Sequence, residues 1–87
     1  MYIQFDDDFD KAKSDWIKKN RGIDFIEARE IWNDPLCVDG APGNVVGGEN
    51  RWLIVGKALS KLWTACYTHR HSKIRIISVR PARQEEK

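Results

Sequence analysis

The sequence predicts an α+β fold of two layers: two N-terminal helices packed on one face of a small antiparallel sheet, in the order β-α-α-β-β-β-β with a short C-terminal tail. Two observations carry this. Between Arg51 and Arg83, three runs rich in β-branched and aromatic residues (Arg51 to Val55, Leu62 to Thr68, Ile74 to Val79) are separated by short polar breaks, the pattern of an antiparallel meander. Upstream, two stretches place apolar residues at helical spacing between recognisable caps. At 87 residues the chain is long enough for one modest core, so residues 1–87 are read as a single domain.

Taken in order, Ile3 to Phe5 can add a strand, which Asp6, Asp7 and Asp8 stop. A helix then begins near Phe9, its apolar stripe Phe9, Ala12 and Trp16, its stop Gly22. Asp24 with Glu27 three residues on is a capping box. A second helix therefore spans about Phe25 to Trp32, with Phe25, Ala28 and Trp32 inward and Asp34-Pro35 ending it. Trp16 and Trp32 are both expected in the core. Leu36 to Asp39 reads as a strand, and residues 40–50, with four Gly and a Pro, as a turn or loop. That loop lacks a Gly-Lys-Ser/Thr ending and is no nucleotide-binding P-loop. The tail, Pro81 to Lys87, can begin a helix but stops short of two turns.

Charge is divided along the chain. Residues 1–50 hold six Lys or Arg against eleven acids, whereas residues 51–83 hold eight and no acid at all. Such asymmetry points the basic half toward nucleic acid or an acidic partner. Alternation along the strands puts Trp63, Ala65 and Tyr67 on one face and Thr64, Cys66, Thr68 and Arg70 on the other. In the last run, Lys73, Arg75, Ile77 and Val79 alternate with Ile74, Ile76, Ser78 and Arg80. Arg75 and Arg80 need solvent or an anion, since a guanidinium does not discharge at physiological pH.

Cys37 and Cys66 lack CxxC spacing, and with His69 and His71 they make no convincing metal set, so neither metal nor cofactor is expected. No run of about 18 apolar residues and no signal peptide is present. The expectation is a cytoplasmic protein with reduced thiols and no membrane partner.

Several words then occur in a telling order: Phe5-Asp-Asp-Asp, a helix closed by Gly22, Ile23-Asp-Phe-Ile-Glu-Ala, Asn33-Asp-Pro-Leu, Glu49-Asn-Arg-Trp-Leu-Ile-Val-Gly, Cys66-Tyr-Thr-His-Arg and Ile74-Arg-Ile-Ile-Ser-Val-Arg. Together they resemble the BrnT toxins, a branch of the RelE-like toxin superfamily, over nearly the whole chain. The resemblance implies the toxin of a type II toxin–antitoxin pair, a metal-independent endoribonuclease that cleaves mRNA and inhibits translation. It also implies a neutralising antitoxin of ribbon-helix-helix type and operator DNA bound through the complex. The matching positions are Glu49, Arg51, Tyr67, Arg70, Arg75, Ser78 and Arg80. Three departures stand out. Asn20-Arg21 replaces the family's Lys-His before the helix-ending glycine, Ile17 stands where the family has an Asn, and the basic C-terminal helix is reduced to a stub.

Metal-free RNA cleavage needs a base for the 2′-hydroxyl, charge to meet the crowded phosphoryl oxygens, and an acid for the leaving oxygen. Arg51, Arg75 and Arg80 are the candidate phosphate clamps, because the guanidinium fork grips two phosphate oxygens at once. Tyr67 and His69 are the candidate proton shuttles, His69 favoured because an ordinary histidine titrates near ~6.5. Lys57, Lys61, Arg70, Lys73 and Arg83 are candidate RNA-backbone contacts. Two other readings compete. One is a catalytically degenerate relative that binds an antitoxin or serves as a DNA-binding corepressor; the other, a housekeeping RNA-binding module, lacks KH and RRM signatures.

Overall fold

The computed structural model describes residues 3–43, 45 and 47–86. Asn44 and Val46 of the expected loop and Lys87 of the expected tail lie outside the described residues.

Helix α1 spans Lys11–Arg21. The Asp10 carboxylate accepts from the Lys13 amide at its start, and Gly22, in the left-handed region at φ 92°, closes it by donating to the Lys18 carbonyl. The sequence chose the wrong stripe on this helix. Ser14 and Ile17 face inward, while Ala12 is exposed and Trp16 is 55% exposed with the Arg21 guanidinium over its ring. Buried Ser14 is not idle: its hydroxyl accepts from the Phe25 amide and fixes where the next element starts.

That element is a 3-10 helix, Glu27–Asn33, rather than an α-helix. The capping box forms as expected, with reciprocal bonds between Asp24 and Glu27. Its three-residue turn changes what is buried. Phe25, Ala28 and Ile31, spaced by three, all lie at 0% exposure, and Trp32 is carried to the side of the core, edge-on to Phe5 and Tyr67.

Four strands follow: β1 (Val38–Pro42), β2 (Trp52–Ala58), β3 (Lys61–Arg70) and β4 (Lys73–Pro81). They form one antiparallel sheet in sequence order, each longer or later than its sequence run. The β2–β3 and β3–β4 turns each consist of two residues with positive φ, Leu59-Ser60 and His71-Ser72, as tight hairpins of this twist require. The expected first strand is reduced to a single parallel bridge between Phe5 and Ile74, with two backbone bonds to β4; the aspartates that follow end it. The tail forms a short 3-10 turn, Gln84–Glu86.

Helix α1 packs on β4, and the 3-10 helix packs on β2 and β3. Between these layers lies the core: Ile17, Ile23, Phe25, Ala28 and Ile31 against Ile54, Trp63, Ala65, Tyr67, Ile76 and Val79. Burying that many large apolar side chains, at roughly 1.5–3 kcal/mol each, is what offsets the chain's conformational entropy. Gly56 marks the closest approach of the layers. A Cβ there would stand 2.9 Å from both the Ile31 carbonyl oxygen and its Cγ2.

Candidate functional site

The face of the sheet turned away from the helices is where the basic residues gather, and one irregularity in β4 decides which of them meet. Tyr67 pairs with Ile76 and Cys66 with Ser78, so Ile77 is an extra residue, a β-bulge. Because side chains alternate, one extra residue transfers everything beyond it to the other face. Val79 joins Ile74 and Ile76 in the core, and Arg80 joins Arg75 on the outer face. Simple alternation from the sequence had put the two arginines on opposite faces.

On that outer face the register aligns Leu53, Cys66 and Ser78 in one row and Val55, Thr64 and Arg80 in the next. Arg51 precedes Trp52, which faces the core, and so projects outward, where it lines two clefts. One, of about 230 Å³, is lined by the cap residue Asp10 and by Lys13 of α1, with Glu49, Arg51 and Arg75. The other, of about 350 Å³, is lined by Arg51, Cys66, Arg80 and Arg83 with Pro42 and Gly43.

Charges from three parts of the chain converge here. Burial pushes the Cys66 thiol up, against the opposing pull of the Arg51, Lys13 and Arg80 cations, so it stays protonated and is no nucleophile. Arg51 Nη2 lies 3.7 Å from Glu49 Oε2, a loose contact, and its Nε–H is buried with no partner among the described residues. A buried donor left unmet costs about 1–3 kcal/mol, which an anion in either cleft would relieve.

Arg80 is differently placed. Its fork grips the Glu86 carboxylate with Nη1–Oε1 at 2.7 Å and Nη2–Oε2 at 2.9 Å. The buried Thr64 hydroxyl and the Arg83 amide donate to the same carboxylate, at 2.9 and 2.7 Å. These donors, Arg80 foremost, hold the Glu86 carboxyl down to about 2 although burial opposes them. A carboxyl depressed by folding adds stability that is complete above its unfolded pKa, near 4.5, and lost as pH falls toward 2. The melting-temperature gap between wild type and Glu86→Gln is therefore expected to shrink across that window, measured by circular dichroism.

Tyr67 and His69 do not belong to this face. Tyr67 pairs with Trp52 and Ile76, points into the core at 3% exposure and donates its hydroxyl to Asp39 Oδ1. Burial first, then that carboxylate, raise its pKa well above the usual phenol value, so it holds its proton. His69 shares that side, its ring 5.1 Å from Trp52 and 5.7 Å from Tyr67. The sheet stands between these two and the arginines.

The remaining basic candidates divide. Arg83 joins the second cleft. Lys57 and Lys61 line a third cleft, of about 450 Å³, with exposed Leu36, Val38 and Leu62, and Glu86 forms part of its wall. Arg70 is 3.6 Å from Asp8 and Lys73 is paired with it in the ladder, both at the β3–β4 turn beside the N-terminal aspartates. Sequence reasoning missed Lys13, Thr64 and Glu86 as members of the site. Only the register and the fold of the tail bring them in.

Among the described residues, no group of three or more potential ligands is arranged for a metal, and no helix is long and apolar enough to cross a membrane. No curated protein matches the chain. Residues 9–86 match the model of a family described as "Ribonuclease toxin, BrnT, of type II toxin-antitoxin system".

Proposed function

The chain belongs to the BrnT family, the ribonuclease toxins of type II toxin–antitoxin systems, and from that premise we propose that it cleaves mRNA without a metal ion, on the sheet face opposite the helices. The observation that carries the reading is the convergence of Arg51 and Arg75 with the carboxylate of Glu49 in one cleft. RNA brings its own nucleophile, the 2′-hydroxyl, so the protein must supply a base, a charge clamp and an acid. Glu49 is the base, loosely held by Arg51 and free to accept a proton. Asp10 is the other carboxylate lining that cleft, and it is committed to capping α1. Arg51 and Arg75 grip the phosphoryl oxygens as charge builds on them. The Lys13 ammonium, in the same cleft, donates to the leaving 5′-oxygen. Cleavage then leaves a 2′,3′-cyclic phosphate on one fragment and a 5′-hydroxyl on the other.

The test is incubation of a purified mRNA with the protein in EDTA, with Arg51→Ala as the control for contaminating nuclease. Fragments ending in cyclic phosphate, absent from the control, are expected. No cleavage, with or without ribosomes, would remove the reading. His69→Gln is expected to keep its rate within about twofold, because its ring lies across the sheet from the clamp, and the pH profile should lack a histidine limb. A tenfold loss in that variant would return the proton shuttle to His69.

The family implies an antitoxin partner; we take it to be of the ribbon-helix-helix type, with operator DNA bound through the complex. The exposed edge strand β1, which begins at exposed Val38 and is preceded by exposed Leu36, is a surface such a partner can extend. The second reading, antitoxin binding without RNA cleavage, draws on Arg21. It stands where the family has a histidine and donates its guanidinium to the Val79 carbonyl at 2.7 Å.

A further inference from the structure

Glu86 is bound as a ligand would be. Its carboxylate receives both arms of the Arg80 guanidinium, the Thr64 hydroxyl and the Arg83 amide, all between 2.7 and 2.9 Å. Thr64 is 1% exposed and Glu86 itself only 16% by side chain, so the group is enclosed rather than resting on the surface. Two of its neighbours belong to the sheet and would remain if the Gln84–Glu86 turn moved away. What would remain is a fork, a hydroxyl and a gap between them, the donor set that grips a phosphodiester.

The position matters as much as the chemistry. Arg51 joins the first two clefts, Arg80 reaches from the second to Glu86, and Glu86 walls the third. Along this line stand Lys13, Arg75, Arg51, Arg80, Lys57 and Lys61. Asp10 and Glu49 line the first cleft and Asp34 the third, and Glu86, held by Arg80, is the carboxylate that a polyanion following the line would meet midway.

We infer that Arg80 and Thr64 form a backbone-phosphate site and that the Glu86 carboxylate occupies it as an internal competitor, so that RNA binds only by displacing the Gln84–Glu86 turn. The inference rests on the RNA reading above and adds to it a site and its regulation. Glu85, exposed and one residue earlier, carries the same charge outside the cradle and is the natural control.

The experiment measures binding of a fluorescein-labelled 2′-O-methyl hexanucleotide, which cannot be cleaved, by anisotropy at several salt concentrations. Glu86→Gln and Glu86→Ala are each expected to bind about tenfold tighter than wild type, a factor worth about 1.4 kcal/mol. Their slope against log salt should steepen by about 0.7, as for one added single-strand phosphate contact. Glu85→Gln should change affinity by less than about twofold. Adding Arg80→Ala to Glu86→Gln should abolish the gain. Equal affinities for the Glu86 and Glu85 variants, or a gain that survives loss of Arg80, would overturn the inference. The cleavage assay is read separately. Tighter binding with no cleavage by any variant would leave the cradle standing and sink the nuclease, whereas cleavage with no Glu86 effect would do the reverse.

Discussion

Arg51→Ala is expected to lower kcat/KM for RNA cleavage by roughly 10²–10³, the loss typical of removing one preorganised donor from a developing oxyanion. The same change should leave the melting temperature within a few degrees of wild type. The separation follows from how little Arg51 does for the folded chain. Among the described residues its one ion pair is a 3.7 Å contact with a half-exposed carboxylate, worth well under about 1 kcal/mol, and its buried Nε–H has no partner. Yet it lines two clefts. Arg51→Lys should recover only part of the rate, since an ammonium keeps the charge but not the fork. A variant that cleaves at the wild-type rate would remove Arg51 from the chemistry. One that melts far below wild type would make it a structural residue instead.

Gly56→Val is expected to be the most destabilising single change outside the large apolar core residues, at about 3 kcal/mol or more. In a domain of this size that lowers the melting temperature by roughly 12–24 °C. The cause is local. An added Cβ meets the Ile31 carbonyl oxygen and Cγ2 at 2.9 Å and the Cys37 Cβ at 3.0 Å, and two of those three atoms sit on or beside backbone that cannot swing aside. Gly56→Ala should cost less, because the two γ-methyls are absent. Thermal denaturation of the three proteins side by side checks the order. Near-equal melting temperatures would mean that the helical layer can lift from the sheet at little cost.

Much of this architecture was readable in the sequence, and the misreadings have identifiable causes. The meander, the capping box at Asp24 and Glu27, and the closing Gly22 all depend on chemistry local to a few residues. The wrong stripe on α1 arose because tryptophan is normally a core residue; here Ile17 and Ser14 take the interior and Trp16 lies outside under Arg21. The second helix was misread because a 3-10 turn and an α turn share caps but bury different positions, Ile31 in place of Trp32. For the site, alternation put Arg75 and Arg80 on opposite faces of β4, and their common face depends on Ile77. No propensity marks that residue as a bulge. Tyr67 and His69 looked like companions of the arginines because sequence proximity does not distinguish the two faces of a strand.

The bridge between Phe5 and Ile74 has a consequence for synthesis. Strands that neighbour one another in sequence can pair as soon as they emerge, but α1 finds its partner only in β4, and the N-terminal segment reaches the same strand. The Phe5 segment and α1 therefore wait for β4, and Arg75 and Arg80 arrive with that strand. On a ribosome, packing of α1 and completion of the arginine face are expected together, once β4 has left the exit tunnel, so the proposed RNA cleft is not assembled before the core is.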